Sequence, residues 1–219
     1  MDLPLDPKAH SSMPQKVGPE PQRRNSRANR ERILAVAREE LGRNANASLD
    51  EIARAAGVVR RTLYGHFPGR QALLEALAEE AKQTLSGALA APPVAADSPV
   101  EALARFMLQI WSVGDRYRML ISLAHRDLGV ERVADVLEPA RTRATAILER
   151  GQREGVFLSD VPAPALAPAL EALGLSLLES THSGAWEGTG AAAARTTLIA
   201  AGVPPVAAEK TISRILSAG

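Results

Sequence analysis

The sequence predicts an all-α fold with an N-terminal three-helix head followed by a larger helical body. Three observations support this prediction. Alanine and leucine are abundant among the 219 residues, whereas aromatic residues make up only 3%. Apolar residues recur at helical spacing, and the alternation typical of strands is nearly absent. Ser-x-x-Glu capping signatures, at Ser48 and Ser98, mark helix starts.

Composition excludes several classes of protein. The chain has no cysteine, so it has no disulfides or thiolate metal sites, and its four histidines lack the spacing of metal ligands. No apolar run approaches the ~18 residues of a membrane span, and the N-terminus shows no export signal. Phosphate-loop, dinucleotide-binding and nucleophile-elbow motifs are absent. We therefore expect a cytoplasmic protein that is not an enzyme and has no cofactor or metal.

The charge is divided unevenly along the chain. Residues 1–70 hold 13 Lys and Arg against 8 Asp and Glu, and residues 71–219 hold 13 against 17. The first part can therefore attract phosphates, and the second has no electrostatic reason to approach nucleic acid.

The stretch Ser48–Arg70 predicts a helix-turn-helix. Ser48 and Glu51 form a capping box for a short amphipathic helix, Leu49–Ala56. Gly57 follows at the position that needs a left-handed conformation. A second short helix, about Val59–Gly65, begins a few residues later. Such a helix, with hydrogen-bonding side chains near its N-terminus, can enter a DNA major groove.

The same residues carry a resemblance to a known family. The stretch IARAAGVVRRTLYGHFPGRQALL resembles the DNA-binding domain of the TetR family of bacterial transcriptional regulators. The resemblance extends over about 50 residues, Arg27–Leu77. It implies an all-helical, dimeric fold with an effector pocket in the C-terminal part. Val59 stands where that family has a small polar residue, which predicts a weak cap for the second helix.

Candidate DNA-binding residues follow from the motif. Arg60 and Arg61 can read guanine, although both can also be solvated surface arginines. Thr62 can contact a phosphate or a thymine methyl. The resemblance makes Tyr64, His66 and Arg70 phosphate contacts, whereas Tyr64 can instead pack the head and His66 can cap locally. Ser48, earlier in the sequence, can also contact a phosphate, but its role as a helix cap explains the serine at this position equally well.

The residues that precede the helix-turn-helix predict a tail and one more helix. Residues 1–25, rich in proline, should form a disordered tail. Arg23, Arg24 and Arg27 are either a basic arm for the minor groove or a solvated charge run. A helix of about 15 residues follows, with Ile33 and Leu41 on its buried face. We assign residues 26–72 to the DNA-binding domain and residues 73–219 to an effector-binding and dimerisation domain.

The sequence of the body predicts seven further helices, separated by proline and glycine residues that end or interrupt helices. We expect Gly114-Asp115 to end one helix and Pro139 to kink or split another. The expected ranges are Arg70–Leu89, Pro99–Val113, Arg116–Leu128, Glu131–Gly151, Pro162–Ser183, Ala191–Ala201 and Pro204–Leu216, which makes roughly ten helices in the whole chain.

Two body helices carry a cluster of large side chains that is unusual in a chain with few aromatics. We expect the cluster to line an effector pocket, although an ordinary helical core would look much the same. Trp186, in a glycine-rich loop, can cover a pocket or an interface. The candidate ligand-binding residues are Phe106, Met107, Trp111, Tyr117 and His125.

Leucine stripes on Pro162–Ser183 and Pro204–Leu216 can form a four-helix bundle between two subunits, or can be buried within one. The sequence thus favours a homodimeric, ligand-responsive regulator, in the first instance a repressor, that binds a palindromic double-stranded DNA operator and is released by a small molecule. The alternatives are a constitutive DNA binder without an effector, and a helical ligand-binding or interaction protein without specific DNA binding. No motif in the sequence identifies the effector, the operator sequence or the regulated genes.

Overall fold

The computed structural model describes residues 19–90, 98–123 and 127–218. Within these ranges the fold contains ten α-helices and no strand, as the sequence predicts. The helices are α1 (Pro19–Arg43), α2 (Leu49–Ala55), α3 (Arg60–His66), α4 (Arg70–Leu89), α5 (Pro99–Arg116), α6 (Arg118–Leu123), α7 (Val130–Arg153), α8 (Ala163–His182), α9 (Gly190–Ala200) and α10 (Pro205–Ser217).

The first three helices form the head around one apolar core. Ile33 and Leu41 of α1, Ile52 of α2 and Leu63 of α3 are almost fully buried together. Gly57 adopts φ +63°, the left-handed conformation that the sequence predicts for the turn. Val59 precedes α3 without a side-chain capping bond, as expected. The predicted helix-turn-helix is therefore present.

Helix α1 begins earlier than expected. Residues 19–25 are helical where we predicted a disordered tail, and residues 1–18 lie outside the described ranges. Prolines 19 and 21 are compatible with this start, because the first N–H groups of a helix have no intrahelical acceptor. Arg27, one of the candidate arm residues, forms an i,i+4 ion pair with Glu31 at 2.9 Å.

Two predicted interruptions of the body helices differ in the structure: the first lies at Tyr117, just after the expected position, and Pro139 does not split its helix. Helix α5 runs through Gly114 to Arg116, because this glycine serves a close approach between helices. A Cβ at Gly114 would lie 2.6 Å from Cδ1 of Leu178 on α8. Helix α7 continues through Pro139 without splitting, and packing against α4, α5 and α8 supports it on both sides of the missing hydrogen bond.

The segment expected as one helix, Arg116–Leu128, differs as well. It contains the short helix α6, and residues 124–126 lie outside the described ranges. In the described residues, no helix combines the length and apolarity needed to span a bilayer.

The body forms a second apolar core from α5, α7, α8, α9 and α10. Leu166 and Leu170 of α8 are buried in this core, as are Ile212 and Ile215 of α10. Of the two alternatives for the leucine stripes, burial within one subunit accounts for these four residues. The large apolar residues of α10 that are exposed are Val206 and Leu216.

Candidate DNA-binding face and effector cavity

Helix α3 presents a polar face outward because Leu63 fixes its inner side. Leu63 is fully buried in the head core. Arg60, Arg61 and Tyr64 are exposed, and Thr62 is partly exposed. These four candidates therefore share a helix only seven residues long. The arrangement places two guanidinium groups, a hydroxyl and a phenol within reach of a common partner.

The two arginines of α3 have different surroundings. Arg60 Nη1 lies 3.0 Å from Asp50 Oδ2, in the first turn of α2. The guanidinium carbon of Arg60 also lies 5.2 Å from the ring centroid of Tyr64, and its Nη2 donates to the phenol oxygen at 3.5 Å. Arg61 makes no hydrogen bond or ion pair within the described residues. To contact DNA, the Arg60 guanidinium must either keep Asp50 as a second partner or give up this ion pair. Arg61 has no ion pair to give up within the described residues.

Ser48 acts as the predicted N-cap of α2. Its Oγ accepts from the backbone N–H of Glu51 at 3.2 Å, and the Glu51 carboxylate accepts from the Ser48 N–H at 2.8 Å. This backbone bond, and then the bond from the Ser48 hydroxyl, lower the pKa of Glu51. Capping thus occupies Ser48, and its hydroxyl remains at the surface.

Arg70 ties the start of α4 to the loop between α1 and α2. Its Nη1 donates to the carbonyl of Ala47 at 2.8 Å, and its Nη2 donates to the carbonyl of Ala45 at 2.5 Å. Sequence reasoning missed this role because the acceptors lie more than twenty residues earlier in the chain. His66, in the last turn of α3, is partly exposed, and its ring centroid lies 6.2 Å from that of Phe67.

The body contains a cavity of about 770 Å³ bounded by α4, α5, α7 and α8. Four of the predicted ligand-binding residues line it: Phe106, Met107, Trp111 and Tyr117. The fifth, His125, lies outside the described residues. The size and the apolar walls are those of small-molecule sites.

Trp111 is held in the cavity wall by the glycine-rich loop. Its ring meets that of Trp186 edge to face, with centroids 6.2 Å apart. A Cβ at Gly190 would lie 2.7 Å from Cδ1 of Trp111, so the start of α9 approaches the indole more closely than any other residue type allows. Trp186 therefore packs against the Trp111 ring and supports its position in the cavity wall.

Charged side chains also line the cavity, and the sequence analysis did not identify them. Arg141 of α7 donates to Glu171 of α8 from Nε at 3.1 Å and from Nη2 at 2.7 Å. This bidentate contact raises the pKa of Arg141. Glu179, about two helical turns beyond Glu171 on α8, also lines the cavity. The available signal was two carboxylates in the otherwise apolar helix α8.

Arg132 of α7 also lines the cavity, within a cluster of five charged groups. It donates from Nε to Glu75 at 2.9 Å, from Nη2 to Glu79 at 3.2 Å and from Nη1 to Asp135. Burial acts to lower the pKa of Arg132, but the bonds to Glu79 and Asp135 prevail and raise it. Lys82 donates to Asp135 at 2.6 Å. The cluster joins α4 to α7.

Tyr117 links the cavity wall to the head. Its hydroxyl donates to Glu80 Oε1 on α4 at 2.8 Å and lies 3.1 Å from Thr84 Oγ1. Arg38 of α1 donates to the same Glu80 oxygen at 2.6 Å, and its guanidinium carbon lies 5.3 Å from the Tyr117 ring centroid. Burial, with Glu80 as a further cause, raises the pKa of Tyr117, so the phenol stays protonated and donates.

Comparisons with known proteins agree with this architecture. Residues 33–77 match the family model described as bacterial regulatory proteins, tetR family. No curated protein sequence matches the chain significantly.

Solved structures share the fold over most of the chain. CprB, a TetR family protein from S. coelicolor A3(2), is 18% identical with a TM-score of 0.70, covering 89% of this chain and 100% of its own. A TetR family transcription regulator from Marinobacter aquaeolei VT8 is 23% identical with a TM-score of 0.61, covering 82% and 97%. NalD from Pseudomonas aeruginosa is 19% identical with a TM-score of 0.58, covering 80% and 94%.

These structural likenesses show the fold over 80–89% of the chain. The match at residues 33–77 places the signature of the bacterial regulatory proteins of the tetR family on the helix-turn-helix itself.

Proposed function

We propose that this protein is a ligand-responsive transcriptional repressor. It binds a palindromic double-stranded DNA operator as a homodimer and is released when a small molecule occupies the body cavity. The observation that carries the proposal is that one helix, α4, begins directly after the recognition helix and ends as a wall of the cavity. A structural relative, NalD, is described as a secondary repressor of a multidrug efflux pump. Because a transcriptional repressor acts on DNA inside the cell, the proposed function implies a cytoplasmic location.

The DNA contacts in this proposal come from α3 and its neighbours. Arg61 and Arg60 read base edges in the major groove, where arginine bonds guanine O6 and N7. Thr62, Tyr64 and His66 contact phosphates or the groove edge. Arg70 contributes the N–H groups that its loop contacts leave free, and Ser48 contacts a phosphate by exchanging the bond from its hydroxyl to Glu51.

Dimerisation through α8 and α10 supplies the two-fold symmetry that a palindromic site requires. Because Leu166 and Leu170 of α8 and Ile212 and Ile215 of α10 are buried inside the subunit, the proposed contact uses the outer faces of the two helices. On α10 these include Val206, 82% exposed, and Leu216, 55% exposed. In the first half of α8 the outer positions are small, including Ala165, Ala169 and Ala172, which permits a short distance between helix axes.

The switch in this proposal is a change in the spacing of the two recognition helices. DNA fixes adjacent major grooves on one face at about 34–36 Å. A ligand that displaces Tyr117 also disturbs Glu80 of α4 and Arg38 of α1, so it can shift the head relative to the body. The ligand releases DNA only if it binds the shifted conformation more tightly.

An electrophoretic shift assay with the protein's own promoter region tests DNA binding. The double variant Arg60→Ala, Arg61→Ala should lose about 1–3 kcal/mol for each base contact. The variant Arg153→Ala removes an exposed arginine of the body and should bind like wild type. Wild-type affinity in the double variant would refute the assignment of α3.

Salt and ligand experiments separate the proposal from a protein that binds ligands but no specific DNA. Operator affinity should fall steeply with salt concentration because binding releases counterions from phosphates. A ligand found by thermal stabilisation should dissociate the wild-type complex. Trp111→Ala should abolish that response with operator affinity nearly intact. If every stabilising ligand leaves the operator complex unchanged, the repressor is not controlled by the cavity.

A further inference from the structure

We infer that the body cavity accepts a largely apolar molecule that carries a positive charge. This inference names the chemical class of the proposed effector, and so rests on the proposed function for its role in DNA release. Binding itself depends only on the charges and walls of the cavity.

The two arginines that line the cavity are already neutralised. Arg141 is bound by both carboxylate oxygens of Glu171 through a bidentate contact. Each nitrogen type of Arg132 donates to a different carboxylate. In that cluster, counted over the residues that the structure describes, three carboxylates face Arg132 and Lys82, which leaves one negative charge in excess. An anionic ligand would have to displace a carboxylate that is already bonded.

Glu179 adds a negative charge that has no such neighbour. Its carboxylate makes no hydrogen bond or ion pair with any residue that the structure describes, and it lies at the cavity on the exposed side of α8. The nearby hydroxyls of Ser180 and Ser183 donate to backbone carbonyls at 2.8 and 3.2 Å, so they offer acceptor lone pairs to a ligand. This end of the cavity therefore attracts a donor or a cation.

The walls suit the rest of such a molecule. Phe106, Met107, Trp111 and Tyr117 provide apolar and aromatic surface, and aromatic faces attract cations. The volume of about 770 Å³ admits a bulky body. A lipophilic cation satisfies both features, because its apolar groups are buried and its charge meets uncompensated carboxylates.

Tetraphenylphosphonium and tetraphenylborate provide a direct test, because they share shape and size and differ in the sign of the charge. Binding to the full-length protein is measured by calorimetry and by tryptophan fluorescence, since Trp111 and Trp186 are the two tryptophans of the chain. We expect the phosphonium to bind at least about tenfold more tightly than the borate, as like charges are disfavoured at a shared site.

A matched pair of variants assigns the charge. Glu179→Gln should weaken phosphonium binding about three- to fivefold, the range of an exposed ion pair, and should not weaken borate binding. Glu149→Gln removes an exposed carboxylate of α7 that does not line the cavity, and should change neither.

Equal or tighter binding of the borate overturns the inference, and so does the absence of phosphonium binding. An unchanged affinity in Glu179→Gln overturns the role of that carboxylate. If the phosphonium binds as expected but leaves the operator complex intact, the ligand class stands and the proposed effector function fails. The two conclusions are thus separated by one additional shift assay.

Discussion

Replacing Arg70 by alanine should destabilise the head, because this side chain holds the loop that leads into the helix-turn-helix. Its guanidinium donates to the carbonyls of Ala45 and Ala47 at 2.5 and 2.8 Å. Ala47 itself is 2% exposed, so its carbonyl has little access to water once the arginine is removed. The loss falls directly before Ser48, the cap of α2.

The size of the effect follows from these two bonds. A hydrogen bond to a charged group contributes about 1.5–3 kcal/mol. Ala45 is partly exposed, so water replaces a share of its bond in the variant, but little of the bond to Ala47. We expect a loss of about 2–3 kcal/mol in the free energy of unfolding, which lowers the Tm of a chain of this size by about 4–12 °C.

Equilibrium urea unfolding, followed by circular dichroism, measures the change. Arg61→Ala is the matched control, because Arg61 is exposed and makes no bond in the described residues, and its stability should stay within about 0.5 kcal/mol of wild type. Arg70→Lys should recover only part of the loss, since an ammonium cannot span two carbonyls as a planar fork does. A stable Arg70→Ala variant with weakened operator binding would refute the loop role and favour a phosphate contact.

Further predictions concern the body. Gly151→Ala should cost about 1–3 kcal/mol through overpacking, because the new Cβ would lie 2.1 Å from Cδ2 of Phe157, whereas Gly87→Ala has open space and should stabilise α4 by about 0.5–1 kcal/mol; thermal unfolding distinguishes them. Ser98→Ala should cost about 1 kcal/mol as a lost N-cap. Bonds from the Ser98 backbone, and then its hydroxyl, lower the pKa of Glu101 from 4.5, so this stabilisation is present above pH 4.5 and is lost as pH falls through the lower folded pKa. Ser98→Ala removes the hydroxyl bond but keeps the larger backbone bond, so its unfolding between pH 6 and 3 should depend only somewhat less on pH, and an unchanged slope would contradict the contribution of the hydroxyl.

The head could be predicted from sequence because its signals are local. The capping box of Ser48 and Glu51 and the left-handed Gly57 each depend on neighbours within a few residues. The range of α4 was also correct, since Gly69 and an uninterrupted apolar stripe define it. Local chemistry of this kind is encoded directly in the chain.

Features that depend on distant residues could not be predicted in the same way. Gly114 was taken as a helix end, but it lies against Leu178, which is 64 positions later in the sequence. The charged residues that line the cavity come from two helices, α7 and α8, and sequence spacing does not reveal that Arg141 reaches Glu171. Four aromatic or sulfur-containing side chains of the cavity were identified because such residues are scarce here, whereas the carboxylates were missed.

The division of the apolar core determines how a cavity ligand can act on the head. Tyr117 and three residues of α6, Met119, Leu120 and Leu123, are buried with the head helices, not with the body. Helix α4 contributes Leu77 to the head core and Leu85 to the body core, and Val113 packs against both cores. Close-packed cores resist small displacements and transmit them. A ligand that moves the Tyr117 ring therefore acts on a side chain of the head core itself, so the proposed switch needs no separate hinge between cavity and recognition helix.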